Sequence, residues 1–326
     1  MMVFSLRDFD EKPFFEKYAG EYGLELVSTP EPPTAENAYL AEGCRYINII
    51  TTPLNRHLLE KFRSLGAEYV VTRTIGYDHI DMTAAKELGF KVANTPYGPD
   101  GVAEYTIMLM LMCIRKMKSI SIRFTGQDYT LKNLLGRELS DMTVGIIGTG
   151  RIGTRLVEML SGFGCRILAS SPHPNKRAAE FAEYVPLEQL YREADIISLH
   201  APATEQTRYM IDSAAISSMK DGVVIINTSR GSLIDSNALA DGLSSGKIGA
   251  AGLDVVEDES ELFYFDRRGD VLRNRSMYLL SSFPNVIITH HMAFYTSQAV
   301  ETMVRDSLKG AACDMNGEKN LWTVSD

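Results

Sequence analysis

Short apolar runs alternate along this chain with stretches whose apolar positions recur every three or four residues. In the first hundred residues, runs at 1–6, 24–28, 46–50, 69–74 and 91–95 predict strands. Segments 11–22, 54–65 and 83–88 carry helical spacing. Strand and helix in alternation predict a small α/β domain with a parallel sheet. Pro30-Glu31-Pro32-Pro33 predicts a loop. A stronger break falls at residues 94–101, where Pro96, Gly98, Pro99 and Gly101 crowd together, and it reads as a domain hinge. One long helix is predicted after it, over 102–123, with Met108, Met110, Met112 and Met117 along it. Such a methionine stripe reads as buried core or a subunit interface, not as a metal or cofactor site. From residue 143 six more strands are predicted, at 143–148, 165–171, 195–201, 223–228, 249–255 and 286–291, with a last helix over 298–315. The fold class expected is α/β, with two Rossmann-like parallel-sheet domains.

The first strand of the second half runs into Gly148-Thr149-Gly150-Arg151-Ile152-Gly153 and then a helix-forming stretch. Gly-x-Gly-x-x-Gly alone is a weak signal, but strand before and helix after are the context that dinucleotide binding needs. Gly148 would allow the tight turn, Gly150 the approach of a pyrophosphate, and Gly153 close packing of helix on sheet. The free N–H groups at the start of that helix, from Arg151 and Ile152 on, would face the phosphates.

Ligands of an open α/β sheet bind beyond the carboxyl ends of its strands, so the residues just past those ends are the candidates. Strand two ends in Ser170-Ser171 with no carboxylate, and Pro172-His173-Pro174-Asn175-Lys176-Arg177 follows. An Asp or Glu there would hold the ribose hydroxyls of NAD. Its absence, with Ser170, Ser171, His173, Lys176 and Arg177 as donors to a 2′-phosphate, favours NADPH, with NAD possible if Lys176 and Arg177 merely solvate a loop. His200 and Pro202 close the third strand, and Thr228, Ser229 and Arg230 close the very apolar fourth. The planar fork of Arg230 suits a carboxylate, with a structural ion pair as the alternative. Asp254 to Glu259 is a carboxylate-rich turn after strand five, and His290-His291 ends strand six. Each is ordinary alone. Together, a Glu beside a His keeps an imidazolium available as a proton donor near neutral pH. Dinucleotide, arginine clamp and Glu–His acid describe hydride transfer to a 2-oxo acid, with Arg230 on its carboxylate and His291 protonating its oxygen.

Composition narrows the partners. The 326 residues are 45% hydrophobic and 23% charged, ordinary for a globular chain of about two domains. A net charge of −9 without a Lys/Arg block argues against nucleic acid and against an anionic membrane. Cys44, Cys113, Cys165 and Cys313 lie far apart with no metal-binding spacing, so reduced thiols in a cytoplasmic protein and no metal are expected. Arg7, Asp8 and Asp10 come too early for a signal peptide. The longest apolar run, 107–114, is far short of the roughly 20 residues of a membrane span.

Several long stretches now resemble the D-isomer-specific 2-hydroxyacid dehydrogenases, over essentially the whole chain. They are Arg73-Thr74-Ile75-Gly76-Tyr77-Asp78-His79-Ile80-Asp81, the 141–150 glycine-turn segment, Asn227-Thr228-Ser229-Arg230-Gly231, Leu253-Asp254-Val255 and His291-Met292-Ala293-Phe294-Tyr295-Thr296. The chain looks most like the D-lactate dehydrogenases of the vancomycin-resistance type. The resemblance implies a substrate domain of 1–98 plus 296–326 and a dinucleotide-binding domain of 99–295. It implies Arg230 as clamp and polariser, His291 as acid/base, Glu259 as its partner, and Asp254 near the cofactor. It also implies backbone amides of Ile75 and Gly76 on the substrate carboxylate, Tyr97 and Phe294 lining the pocket, and a homodimer through the helix 102–123. Where the family usually reads Thr-Pro-His, this chain has Thr289-His290-His291, so His290 stays a rival for the acid. Ser171 stands where the family usually has Asp, and the vancomycin-resistance type also lacks that carboxylate.

The expected function is reduction of pyruvate or a related 2-oxo acid to the D-(R)-2-hydroxy acid by NAD(P)H. The alternative within the family is a bulkier substrate, such as 2-oxoisocaproate or phenylpyruvate. From a different class comes a dinucleotide-sensing, corepressor-like binding protein, since such relatives keep the same fold and triad. They usually carry disordered tails, and none is expected here.

Overall fold

Twelve strands in two sheets carry the chain through a computed structural model whose described residues are 1–259, 262–271 and 273–324. The strands are β1 (Met2–Val3), β2 (Val27–Ser28), β3 (Tyr46–Ile49), β4 (Tyr69–Thr72), β5 (Lys91–Ala93), β6 (Thr143–Ile147), β7 (Arg166–Ser170), β8 (Glu183–Tyr184), β9 (Ile196–Leu199), β10 (Val223–Asn227), β11 (Ile248–Leu253) and β12 (Val286–Ile288). The helices are α1 (Lys12–Tyr22), α2 (Arg56–Ser64), α3 (Met82–Glu87), α4 (Asp100–Ile114), α5 (Met117–Thr125), α6 (Arg151–Ser161), α7 (Leu187–Glu193), α8 (Ser213–Ser218), α9 (Ser236–Ser245), α10 (Arg275–Ser282) and α11 (Ser297–Met315). Two units result, one of Met1–Gly98 with Tyr295–Asp326 and one of Pro99–Phe294.

The smaller unit has an all-parallel sheet in the order β2-β1-β3-β4-β5. Its core gathers Phe4, Ile47, Ile49, Leu59, Phe62 and Val70, all fully buried. Asn55 and Asp81 cap α2 and α3 by accepting from Leu58 N and Ala84 N. Arg73, just past β4, is also fully buried. It pairs with the equally buried Glu11 at 2.9 Å, donates to Asn48 and to the carbonyls of Phe4 and Ser5, and lies over the Phe15 ring. Removing one partner of such a pair costs about 3–5 kcal/mol, because the other charge stays buried. Arg73 therefore anchors the loop that begins at Thr74.

The larger unit has seven parallel strands in the order β12-β11-β10-β9-β6-β7-β8. This is a doubly wound sheet whose order reverses between β6 and β9. Strand side chains alternate between two buried faces. Val144, Ile146, Val224 and Ile226 pack under α4 and α6. Ile147, Ile197, Ile225 and Leu253 pack under α7, α8, α9 and α10. Burial on both faces explains why these strands read as unbroken apolar runs. The two-residue edge strand β8 was not expected, because so short a segment leaves no periodicity.

The helix expected over 102–123 is two helices. α4 ends at Ile114, and Lys116 takes a left-handed φ of 54° before α5 begins. Arg137 N donates to the Ile114 carbonyl, so a later loop takes an acceptor at the helix end and α4 stops there. The methionines divide accordingly. Met110 is fully buried in the core, while Met108 and Met117 are exposed. Among the described residues, no helix is long and apolar enough to cross a membrane, and no three His, Cys, Asp or Glu side chains gather as a metal site.

Candidate active site

The glycine turn joins β6 to α6 at the point where the strand order reverses. Gly148 has φ 93°, and a Cβ on it would lie 2.5 Å from the His200 carbonyl oxygen. A Cβ on Gly153 would collide with the Gly148 carbonyl. Both positions therefore demand glycine for the fold itself. Gly150 is different: a Cβ there would meet nothing within 4 Å. Open space over the backbone at the N-cap of α6, beside the first-turn N–H groups of Arg151 and Ile152, fits a pyrophosphate. Thr149 braces the turn by accepting from the Tyr184 hydroxyl at 2.7 Å and, through its carbonyl, from the Thr154 hydroxyl.

Ser170 ends β7, and its carbonyl accepts from Gly148 N. Ser171 Oγ reaches the His173 carbonyl at 3.3 Å. His173 and Lys176 are exposed, and Lys176 has no hydrogen bond or ion pair among the described residues. Arg177 is exposed but engaged, with Nε 2.6 Å from Glu158. On the other side of the turn, His200 Nε2 bonds Ser198 Oγ at 2.8 Å, and burial pulls this imidazole down to about 4. It is neutral at physiological pH and serves as a polar wall under the turn. Pro202 is exposed, and its carbonyl accepts from the Thr207 hydroxyl. The hydroxyls of Thr228 and Ser229 are also used within the protein, by Thr106 Oγ1 at 2.9 Å and the Ala201 carbonyl at 2.6 Å.

The loops that follow three neighbouring strands, β10, β11 and β12, carry Arg230, Glu259 and His291 respectively. Asn227 is fully buried, donates to the Arg230 carbonyl at 2.8 Å and accepts from Ser229 N, so it shapes the loop that presents the guanidinium. Arg230 is partly exposed and donates to the Ser229 carbonyl. A Cβ on the next residue, Gly231, would collide with the Val256 backbone, so the arginine loop and the glutamate loop pack directly together. His291 Nδ1 lies 2.5 Å from Glu259 Oε1, and Glu259 Oε2 accepts from Val256 N at 2.8 Å. Both carboxylate oxygens are thus directed, one at the ring and one at its own loop. Ser260 and Glu261, the next two residues, lie outside the described residues.

His291 sits at φ 58°, in the left-handed region. A non-glycine residue pays about 1–2 kcal/mol there, and the surroundings must hold it. They do so through Asp254, whose carbonyl accepts from His291 N at 2.8 Å, and through the Tyr264 hydroxyl, which donates to the His291 carbonyl at 2.8 Å. The Asp254 carboxylate is fully buried and accepts from Thr289 Oγ1 at 2.5 Å, Met292 N at 2.8 Å and Ala293 N at 2.8 Å. These bonds tie the loop after β12 to Asp254, which thereby positions His291. His290 is exposed and turns edge-on to the Phe263 ring at 6.4 Å, apart from the Glu259 pairing. Tyr264 and Phe294 lie beside His291, each with its ring centroid 6.4 Å from the imidazole. In the smaller unit, Ile75 and Gly76 lie in the partly exposed loop after β4, and Tyr97 is buried ahead of the unit boundary.

Sequence reading missed Tyr264 and Asn227. Asn227 stood inside a quoted motif and its buried strand end was a usable signal. Tyr264 comes from an irregular segment 27 residues before the histidine that it holds, and nothing local marks it.

A phosphate-ready glycine turn at the switch point, an arginine and a carboxylate-bound imidazole define a nicotinamide dinucleotide-dependent dehydrogenase. The sequence profile described as D-isomer specific 2-hydroxyacid dehydrogenase, NAD binding domain, matches residues 107–293. An aromatic 2-oxoacid reductase of Clostridium sporogenes is 42% identical over 302 residues, covering 92% of this chain and 91% of that protein. D-lactate dehydrogenase of Escherichia coli is 37% identical over 321 residues, covering 98% and 97%. The solved structure of a D-2-hydroxyisocaproate dehydrogenase superposes with a TM-score of 0.89 at 33% identity, over 100% of this chain and 99% of that one. The chain belongs to the D-isomer-specific 2-hydroxyacid dehydrogenase family. It reduces 2-oxo acids to D-2-hydroxy acids with a nicotinamide dinucleotide.

Proposed function

We propose that this chain reduces pyruvate and closely related 2-oxo acids, with NADPH as the favoured donor. The observation that carries the chemistry is the 2.5 Å bond from His291 Nδ1 to a Glu259 whose second oxygen is already held. Bound reduced nicotinamide supplies the hydride. With Nδ1–H directed at the carboxylate, Nε2–H is the proton that His291 delivers to the substrate oxygen. Arg230 takes the substrate carboxylate through its fork and polarises the carbonyl. Ile75, Gly76, Tyr97 and Phe294 are proposed substrate contacts. The backbone of Gly148, Gly150, Arg151, Ile152 and Gly153 is proposed to hold the pyrophosphate, with His200, Pro202, Thr228 and Ser229 shaping the nicotinamide side.

The carboxylate-free end of β7 supports NADPH. Ser170, Ser171, His173 and Lys176 offer donors with no negative charge to repel a 2′-phosphate. Arg177 joins them only by leaving Glu158, a small loss for an exposed pair. The ring pair Tyr264 and Phe294 beside His291 favours a second reading, an aromatic 2-oxo acid, in line with the name of the Clostridium relative.

Initial rates with NADPH and NADH, each against pyruvate and phenylpyruvate at neutral pH, test these readings. The highest kcat/KM is expected for NADPH with pyruvate. A higher value with phenylpyruvate selects the aromatic reading, and a higher value with NADH refutes the 2′-phosphate assignment.

A homodimer is proposed through α4 and α5. Met108, Leu111, Met112, Met117 and Ile120 line an open apolar hollow of about 550 Å³ on this face. Sedimentation of the purified chain is expected to give a dimer, and a monomer at micromolar concentration would refute it. The four cysteines, none in a disulfide, fit a reducing cytoplasm.

A further inference from the structure

The loop after β4 carries three consecutive backbone donors, the N–H groups of Ile75, Gly76 and Tyr77. Among the described residues they donate to no protein acceptor. The carbonyls of the same loop are treated in the opposite way. Asn94 Nδ2 donates to the Ile75 carbonyl at 2.7 Å, and Thr74 Oγ1 donates to the Gly76 carbonyl at 2.6 Å. In a trans peptide the N–H points away from the C=O, and the described chain has no cis bond. Pinning the Ile75 carbonyl therefore aims the Gly76 N–H away from Asn94, and pinning the Gly76 carbonyl aims the Tyr77 N–H away from Thr74. Consecutive N–H groups held in this way favour an anion.

The hydroxyl of Thr74 is itself held. Its Oγ1 lies 2.7 Å from Thr72 Oγ1, which lies 3.1 Å from His79 Nε2. Thr72 Oγ1 also donates to the Ile50 carbonyl at 2.8 Å, so the two hydroxyls and the His79 ring form one connected network beside the Gly76 carbonyl. Thr95 closes the frame by donating from its N–H to the Thr74 carbonyl at 3.0 Å. The loop is thus set from one side by a chain of side-chain bonds.

We propose that Asn94 and Thr74 are positioning residues that aim the Gly76 and Tyr77 N–H groups at the substrate carboxylate. The proposal deepens the 2-oxo acid reading and rests on it. It adds Tyr77 N–H to the amides of Ile75 and Gly76, and it gives a task to two side chains that need not touch the substrate.

Asn94→Asp is nearly isosteric but sets a negative oxygen against the Ile75 carbonyl, so the peptide turns. Thr74→Val removes the hydroxyl, and Thr74→Ser keeps it. Steady-state reduction by the full-length chain is measured with pyruvate and with uncharged pyruvamide. Asn94→Asp and Thr74→Val are expected to raise the KM for pyruvate by about tenfold or more, the size of a lost charge-assisted hydrogen bond. Their kcat is expected to stay within about threefold, with the KM for reduced cofactor unchanged. Thr74→Ser is expected to restore the wild-type KM, and pyruvamide kcat/KM is expected to fall far less than that of pyruvate. Equal losses on acid and amide, or an unmoved pyruvate KM, would overturn the proposal while the reductase reading stands. A wild-type chain that turns over no 2-oxo acid would defeat both.

Discussion

Replacing His291 by alanine is expected to lower 2-oxo acid reduction by about three orders of magnitude, within the usual range for loss of a general acid. His290→Ala is expected to leave the rate within about threefold. The two histidines are adjacent in sequence and opposite in environment. His291 is bonded to Glu259, fixed by Asp254 and Tyr264, and flanked by two aromatic rings. His290 is exposed against Phe263. Steady-state rates of the two variants, with cofactor binding as the control for folding, check this. A larger loss in His290→Ala would mean that the acid has been placed one residue too late.

The second large effect is expected at Arg230. Arg230→Lys is predicted to lose about two to three orders of magnitude in kcat/KM for a 2-oxo acid, although the charge is kept. A guanidinium offers two parallel N–H groups to a carboxylate, whereas an ammonium offers a point charge on a flexible stem. The arginine loop is also built for one reach: Asn227 holds the Arg230 carbonyl and Gly231 packs against the Val256 backbone. A lysine cannot regain contact by moving a loop so constrained. Kinetics with pyruvate and pyruvamide separate the effects, because the amide, lacking the charge, is expected to lose much less. Near-normal efficiency of Arg230→Lys on pyruvate would remove Arg230 from the substrate.

The fold was readable because the inner strands of both parallel sheets are buried on two faces, which writes them as apolar runs. The glycine turn was readable for a similar reason. Gly148 and Gly153 are imposed by backbone contacts within one strand–turn–helix unit, and such local constraints appear in local sequence. Where the reading failed, a distant contact was responsible. The 102–123 helix breaks because Arg137 takes the Ile114 carbonyl, and no periodicity within the helix records an acceptor claimed from 23 residues away.

The sequence by itself determined the α/β class, the dinucleotide turn and the identities of the arginine, glutamate and histidine in the loops after neighbouring strands. Only the tertiary structure decided which histidine meets the glutamate and that Asp254 holds the histidine loop. It likewise decided that Arg177 is engaged by Glu158 and that Asn94 and Thr74 pin the loop at Ile75. The physical reason is the range of the interactions. Strand propensity, glycine conformation and helix starts are set by neighbours along the chain. A hydrogen bond to a carbonyl or carboxylate tens of residues away depends on where the packed sheet brings the two groups, and that is a property of the whole fold.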